Sequence, residues 1–426
     1  MFVVMGLYEI LIKEFTDEDK LEALGISDKT LLEKGATENG VDVIINSVNN
    51  FAFDLYRKIV NETDENVILS PFSLYITLSM IYEGAQEDTA DEMANILHFP
   101  ADDGLRQGSF AKLQNDINNR KSKSTLKLSN NVWIQDGLSI KDGFRNNIDN
   151  YYFANIEELD FMDNPEGSRE TINQWVDKET EGKIKEILPK GSIDKATMIA
   201  LTNAIYFKGD WKYKFNKENT RDSEFYLENN QTKTVPMMNI DYNDYDDIEF
   251  NMFRNKTIQV LELPYIGDTI SMMIFLPIDM NNKDYQVNPR SIYELDNELN
   301  SVLYQEVIEK FNPVEYFYIS LPRFSFESDF DMKNNLKPLG IEKAFDPSAN
   351  FNGITDNTQF WIDEVYHKAS ITVNEKGTEA AAASSAIGIA GFPPEFIADH
   401  PFFFTIQDKE TGLILFMGRV MDPGEQ

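Results

Sequence analysis

The stretch NVILSPFSLYITLSMIYEGA, residues 66–85, sets the tightest limit on the fold. Ser70 is placed to cap a helix, because its side-chain oxygen can accept from a free N–H of the first turn. Pro71 suits the first helical position, where its missing N–H costs nothing. The residues that follow are apolar nearly all round, and a helix of that kind lies buried in the centre of a protein. A chain of 426 residues is long enough to build the surrounding core.

Hydrophobic content of 42% and charged content of 26% are those of a soluble globular protein. The formal charge of −33 repels nucleic acid and anionic membrane surfaces, so neither is expected as a partner. With no cysteine, disulfides, thiolate catalysis and cysteine-based metal sites are excluded. The first residues, MFVVMGLYEI, lack a basic n-region, and Glu9 interrupts the apolar run. No signal peptide is read there, so the expected location is cytoplasmic, with the extracellular space as the alternative. No apolar run reaches the ~18 residues that span a bilayer. The sequons at Asn61, Asn230 and Asn255 read as chance without a secretory route.

Residues 1–45 read as an N-terminal extension. Thr16 and Asp17 can cap a short helix ending at Gly25, and Ser27 and Asp28 another ending at Gly35. The extension is either loosely attached or a regulatory segment that Leu21, Leu24, Leu31 and Leu32 would dock on the body. From Ile45 the periodicity strengthens. NSVNNFAFDLYRKIV puts Val48, Phe51, Leu55 and Ile59 on one helical face, and DTADEMANILH reads as a helix ending at His98. STLKLSNNVWIQ alternates like a half-buried strand, and MIALTNAIYF, apolar on both faces, reads as the centre of a sheet. ETINQWVDKETEGKIKEIL predicts a helix interrupted near Gly182, and further helices are expected around 291–311 and 329–338. TISMMIFLP and VEYFYISLPRF read as strands. HPFFFTIQD and LILFMGRV flank Lys409-Glu410-Thr411-Gly412, a hairpin signal. Strands and helices mix without regular βαβ alternation, which predicts α+β, and no linker divides residues 46–426.

No active site stands out. His98, His367 and His400 are the only histidines and none has a zinc-binding spacing. No nucleophile elbow or P-loop is present. A Ser-His-Asp triad on His367 stays open, since sequence does not exclude spatial partners. A histidine inside a strand reads more simply as a hydrogen-bonded core residue. DYNDYDDIEF, residues 241–250, lacks the glycine and terminal glutamate of a calcium loop and reads as a solvated acidic face. No enzyme activity, cofactor or metal is expected.

The segment NEKGTEAAAASSAIGIAGFPPEF, residues 374–396, is bland by contrast, with almost no side chain worth burying. As a helix, TEAAAASSA is too short to be stable alone in water. As a strand, it puts Thr378, Ala380, Ala382, Ser384, Ala386, Gly388 and Ala390 on one face, all of them small. Two readings stay open. It is a flexible surface loop, or a strand able to slide between two others without a clash.

The same segment resembles the hinge of the serpins, in which a glycine, a small residue, a glutamate and four alanines precede a reactive loop. NVILSPFSLYITLSMIYEGAQEDTADEM, LTNAIYFKGDWKYKF, LPRF, LGIEKAF and HPFFFTI with LFMGRVMDP are similar to other serpin signatures, in the family's order. The resemblance covers about residues 46–426. It implies a fold of three β-sheets and about nine helices with an exposed reactive-centre loop at about 375–396. It further implies a monomeric suicide-substrate inhibitor of serine proteases, whose cleaved loop inserts as a new strand of the main sheet while the protease is held as an acyl-enzyme. Non-inhibitory serpins, acting as chaperones, carriers or storage proteins, are the alternative. Those commonly carry bulky, charged or proline residues in the hinge, whereas Thr378 and Ala380–Ala383 here are all small and uncharged.

Site roles follow from the resemblance position by position. Glu375, Gly377, Thr378, Glu379, Ala380, Ala381, Ala382 and Ala383 match the hinge. Ser70, Ser73, Asn203 and His367 match the region beneath the opening sheet, and Trp211 matches the top of the sheet, where insertion starts. The family register puts the scissile bond between Gly391 and Phe392, with Ala390–Gly391 as the alternative. Small residues there imply an elastase- or subtilisin-like target.

Overall fold

The computed structural model describes residues 30–120, 123–241, 244–245, 248–279, 290–315, 318–356, 360–362, 365–377 and 395–424. Among these, nine α-helices and sixteen strands make an α+β fold.

Helix α1 (Glu38–Val60) begins ahead of residue 46, because Thr37 caps it: Oγ1 of Thr37 accepts from Gly40 N at 2.9 Å. Val41, Ile44 and Ile45 are buried, so residues 38–45 belong to the body rather than to a loose extension. The short helix expected to end at Gly35 is not formed over residues 30–35, which carry no regular structure before a turn at 34–35. Residues 1–29, with Leu21 and Leu24, lie outside the described residues.

Helix α2 (Pro71–Tyr82) is the buried helix of the opening motif. Every residue from Pro71 to Ile81 is buried, and Ser70 Oγ caps it by accepting from Ser73 N at 3.3 Å. It packs against α1, against β16 (Ile414–Val420) and against β4 (Ile199–Lys208), which is why no face of it can be polar. Helices α3 (Glu87–Ile96), α4 (Asp103–Asn119), α5 (Asp142–Tyr151) and α6 (Pro165–Glu179) follow. Helix α6 stops before Gly182, whose φ of +78° suits the left-handed exit. The single helix expected near 291–311 is two, α7 (Ile292–Glu298) and α8 (Ser301–Glu309). Asn300 starts the second by accepting from Leu303 N at 2.9 Å. Helix α9 (Lys333–Leu339) is shorter than expected, because residues 329–331 continue a strand.

The largest sheet is antiparallel and runs β1 (Val67–Leu69), β16, β15 (Phe402–Asp408), β9 (Ile270–Pro277), β8 (Ile258–Pro264), β7 (Glu249–Arg254), β10 (Asn312–Glu315). Its β8, β9, β15 and β16 are buried along their whole length, and the β15–β16 hairpin turns at Gly412 with φ +70°. A four-stranded sheet runs β14 (Glu395–Ile397), β11 (Tyr318–Pro322), β6 (Thr232–Ile240), β5 (Arg221–Tyr226), with β14 parallel to β11. VEYFYISLPRF, expected as one strand, thus serves two sheets. The remaining strands form β3 (Ala154–Leu159), β2 (Thr125–Gln135), β4 on one side and the pair β12 (Phe324–Asp331), β13 (Tyr366–Val373) on the other. Helix α2 underlies β4, and β1 underlies β12 and β13, so both pieces lie over the same layer. Among the described residues, the third expected sheet is present in two pieces.

Candidate functional site

Strand β4 has the both-faces-apolar pattern of a central strand, yet its outer edge carries no ladder to β13 among the described residues. The two edges bound a cleft. Near its upper end Ile205 and Phe207 of β4 and Ile371 of β13 enclose a cavity of ≈ 50 Å³, floored by Ile406 and Phe416 of the large sheet. Lower down Leu201 and Thr202 face Tyr366 around ≈ 60 Å³, over Thr77 and Ile81 of α2. The chain after α6 roofs both cavities: Ile184 lines the first, Ile187 and Leu188 the second. Asn173 of α6 pins that roof, its Oδ1 accepting from Ile187 N at 3.0 Å and Leu188 N at 2.9 Å. A strand added between β4 and β13 would need about 4.8 Å on each side, so filling the cleft demands that the two pieces part.

At the base, β13 is tied to the core by polar contacts. Ser70 N donates to His367 Nε2 at 3.0 Å, and Ser70 Oγ donates to Leu415 O of β16 at 2.7 Å. Ile68 N donates to Ser328 Oγ of β12 at 3.0 Å. Burial holds the His367 ring down to a pKa of about 4, because a buried imidazolium loses its hydration. The ring is therefore neutral and its Nε2 already accepts an amide proton. It does not serve the Ser70 hydroxyl as a base, and the triad on His367 is not formed. Ser73 is buried one turn into α2. Asn203 stands opposite Asn130 in the β4–β2 ladder, and its side chain lies outside the described residues.

At the top, the chain leaving β13 is held by the chain leaving β4. Trp211 N donates to Lys376 O at 2.8 Å, Phe215 N to Glu375 O at 2.9 Å, and the Trp211 indole N–H to Asn374 O at 3.0 Å. The indole is buried and stacks on Tyr265 with ring centroids 4.5 Å apart. Asn374 and Gly377 pair with each other across a tight turn. Gly377 has φ +132°, and a Cβ there would sit 2.2 Å from Gly209 O and 2.6 Å from Asp210 Cα. Only glycine permits that approach.

The Glu375 carboxylate is 2% exposed and accepts from Thr220 Oγ1 at 2.8 Å and from the Arg323 guanidinium. Burial pushes its pKa up, and Arg323, the residue's own backbone and Thr220 more than reverse this, leaving it below the ordinary carboxylate range. Arg323 and Thr220 were not legible as partners. Arg323 stands in the LPRF motif, but 52 residues separate it from Glu375 and no local pattern joins them.

The structure thus brings Ser70, Ser73 and His367 together at the base of the cleft and Trp211, Glu375 and Gly377 at its top. Thr378, Glu379 and Ala380–Ala383 of the hinge lie outside the described residues, as do Ala390, Gly391 and Phe392 of the expected scissile bonds. The other two histidines are elsewhere: His98 Nε2 meets Asp54 Oδ2 at 3.0 Å, and His400 lies between Asp399 and Pro277 O. Among the described residues no group of three His, Asp or Glu side chains could hold a metal. No helix of the described residues is long and apolar enough to cross a membrane.

Comparison with known proteins agrees with this geometry. Residues 46–423 match the family model described as Serpin (serine protease inhibitor). A serpin-like protein of Methanosarcina acetivorans is 37% identical over 380 residues, 88% of this chain and 85% of that protein. The leukocyte elastase inhibitor of Xenopus laevis is 37% identical over 379 residues, 88% of this chain and 97% of its own length. The structure of thyroxine-binding globulin in complex with thyroxine superposes with a TM-score of 0.77 at 26% identity, covering 89% of this chain and 99% of that one. A chain matched over residues 46–423, folded around a split sheet with a glycine turn above the gap, belongs to the serpin family.

Proposed function

We propose that the protein is a suicide-substrate inhibitor of serine proteases, and that an elastase- or subtilisin-like enzyme is its target. The observation that supports this best is the pair of unladdered edges of β4 and β13 with the Glu375–Gly377 turn directly above them. The protease serine attacks the Gly391 carbonyl, and the amine of Phe392 leaves, so an ester joins Gly391 to the enzyme. The freed segment from Thr378 onward then enters between β4 and β13 and draws the bound enzyme with it. Roughly a dozen residues gain ladder bonds at ~0.5–1.5 kcal/mol each, on the order of 10 kcal/mol in all. Small residues at Ala390 and Gly391 do not fill the anionic pocket of a trypsin-like enzyme.

The test is incubation with a panel of serine proteases followed by denaturing electrophoresis. The expected result is an SDS-stable complex with an elastase- or subtilisin-like member and none with trypsin. The released C-terminal peptide should begin at Phe392 or Gly391 by mass spectrometry. Cleavage without complex across the panel would reject inhibition and turn attention to a non-inhibitory binding role, as thyroxine-binding globulin binds thyroxine.

A further inference from the structure

The chain ahead of α1 is seated in a site built for it. Leu31 is buried, and Asn115 of α4 holds its backbone at both ends: Leu31 N donates to Asn115 Oδ1 at 2.9 Å, and Asn115 Nδ2 donates to Leu31 O at 3.0 Å. Asn115 Nδ2 also reaches Glu33 Oε1 at 2.8 Å. The next amide, Leu32 N, donates to Asn150 O at 2.7 Å. That carbonyl lies in the last turn of α5, where no helical partner remains for it. The segment then crosses α4 at Gly108, where a Cβ would stand 2.3 Å from Lys34 O and 2.8 Å from Ala36 N. A glycine inside a helix costs about 1 kcal/mol relative to alanine, and here it opens the room that the crossing chain occupies.

This segment joins α5, which packs on β3 of the piece that must move if the cleft is to widen, to α4 and α1, which pack on each other. Helix α4 leads into β2 and α5 into β3, and β2 carries β4, the cleft edge. At its other end the segment runs through the Thr37 cap into α1, which packs on β16 of the large sheet. We infer that residues Leu31–Ala36 are an intramolecular strap that tethers the β3–β2–β4 piece to the core and restrains its movement away from β13. Its consequence for protease trapping rests on the function proposed above; the restraint on the cleft does not.

Hydrogen exchange on the full-length, uncleaved protein tests it without a protease. Gly108→Ala drives a methyl into the strap while favouring the helix. Asn115→Asp keeps the shape but removes the donor to Leu31 O and sets a carboxylate against Glu33. Gly104→Ala is the control, because its Cβ would meet only Asp102 Oδ1, at 3.4 Å. The expected result for both strap variants is amide exchange raised about tenfold along β4 and β13, with β15, β16 and α1 unchanged. The control should match the wild type. A rise confined to residues 31–37 and α4, a uniform rise through the whole chain, or a rise in the control would overturn the inference. Absence of a protease complex would count against the inhibitor reading alone.

Discussion

The amide of Ser70 donates to Nε2 of His367 at 3.0 Å, joining the start of α2 to β13 beneath the cleft. Protonation of Nε2 would cancel that acceptor and bury a cation, which is why burial lowers the ring's pKa from 6.5 to about 4. The unfolded ring takes its proton as the pH falls through about 6.5, while the folded ring does so only near 4. The stability tied to this ring is therefore complete above pH 6.5 and is lost between the two values. The loss amounts to roughly 3 kcal/mol. Unfolding midpoints in urea from pH 7.5 to 4 should fall more steeply for the wild type than for His367→Asn. Parallel profiles would show that the ring does not carry the acid sensitivity.

The Arg323 guanidinium and Thr220 hold the Glu375 carboxylate at the other end of the same cleft. Because this pKa is depressed, its contribution is present above the ordinary carboxylate range and lost as the pH falls through the folded value. Arg323→Met keeps the apolar stem and removes the charge. Arg323 is part exposed, so the expected cost is only about 1 kcal/mol. On the proposed function, that corresponds to an approximately fivefold shorter half-life of the uncleaved, inhibitory form on mild heating at pH 7. Residual inhibitory titre against time measures it, and an unchanged half-life would mean that the pair does not restrain the hinge.

Gly377 is tested by a single methyl. Gly377→Ala meets Gly209 O and Asp210 Cα well inside contact distance at φ +132°, so the turn must shift and the bond from Trp211 to Lys376 O must weaken. The expected effect is a fall of about 2 kcal/mol, or roughly 2 °C in the thermal midpoint of a chain this long. Gly143→Ala, which meets nothing within 4 Å, should leave the midpoint unchanged or raise it. Equal midpoints for the two variants would remove the close approach as a reason for glycine at 377.

Much of this fold is legible because its strongest signals are local. The all-apolar α2, its Ser70 cap and the Lys409–Gly412 hairpin each rest on neighbouring residues. What was not legible depends on partners far along the chain. A both-faces-apolar β4 reads as a sheet centre, but no pattern within it tells that its second neighbour is not laddered. VEYFYISLPRF has one β-prone composition, yet it serves two sheets and its last residue, Phe324, opens a strand of a third. Leu31 and Leu32 look equivalent as helix residues. Outside a helix, Leu31 is buried where Asn115 holds its backbone, while Leu32 is 44% exposed.

On the proposed function, the insertion step turns on Thr378, the residue after the Gly377 turn. If the freed segment inserts, the proposal puts Thr378 first on the inward face, and alternation then turns Glu379 outward. Thr378→Arg would carry a long cation into an interior lined by Ile205, Phe207 and Phe416, costing several kcal/mol unless the head snorkels out. Trapping has to outrun hydrolysis of the acyl-enzyme, so a delay at this first step is enough to release the protease. The variant should fold, be cut at the same bond and turn over as a substrate, with the number of inhibitor molecules consumed per protease rising about tenfold or more. Glu379→Arg should keep most of its inhibition. Both are read by titrating a fixed amount of target protease and by the ratio of complex to cleaved inhibitor on a denaturing gel. Undiminished inhibition by Thr378→Arg would sink the insertion mechanism. Equal loss in both variants would sink the assignment of which face turns inward.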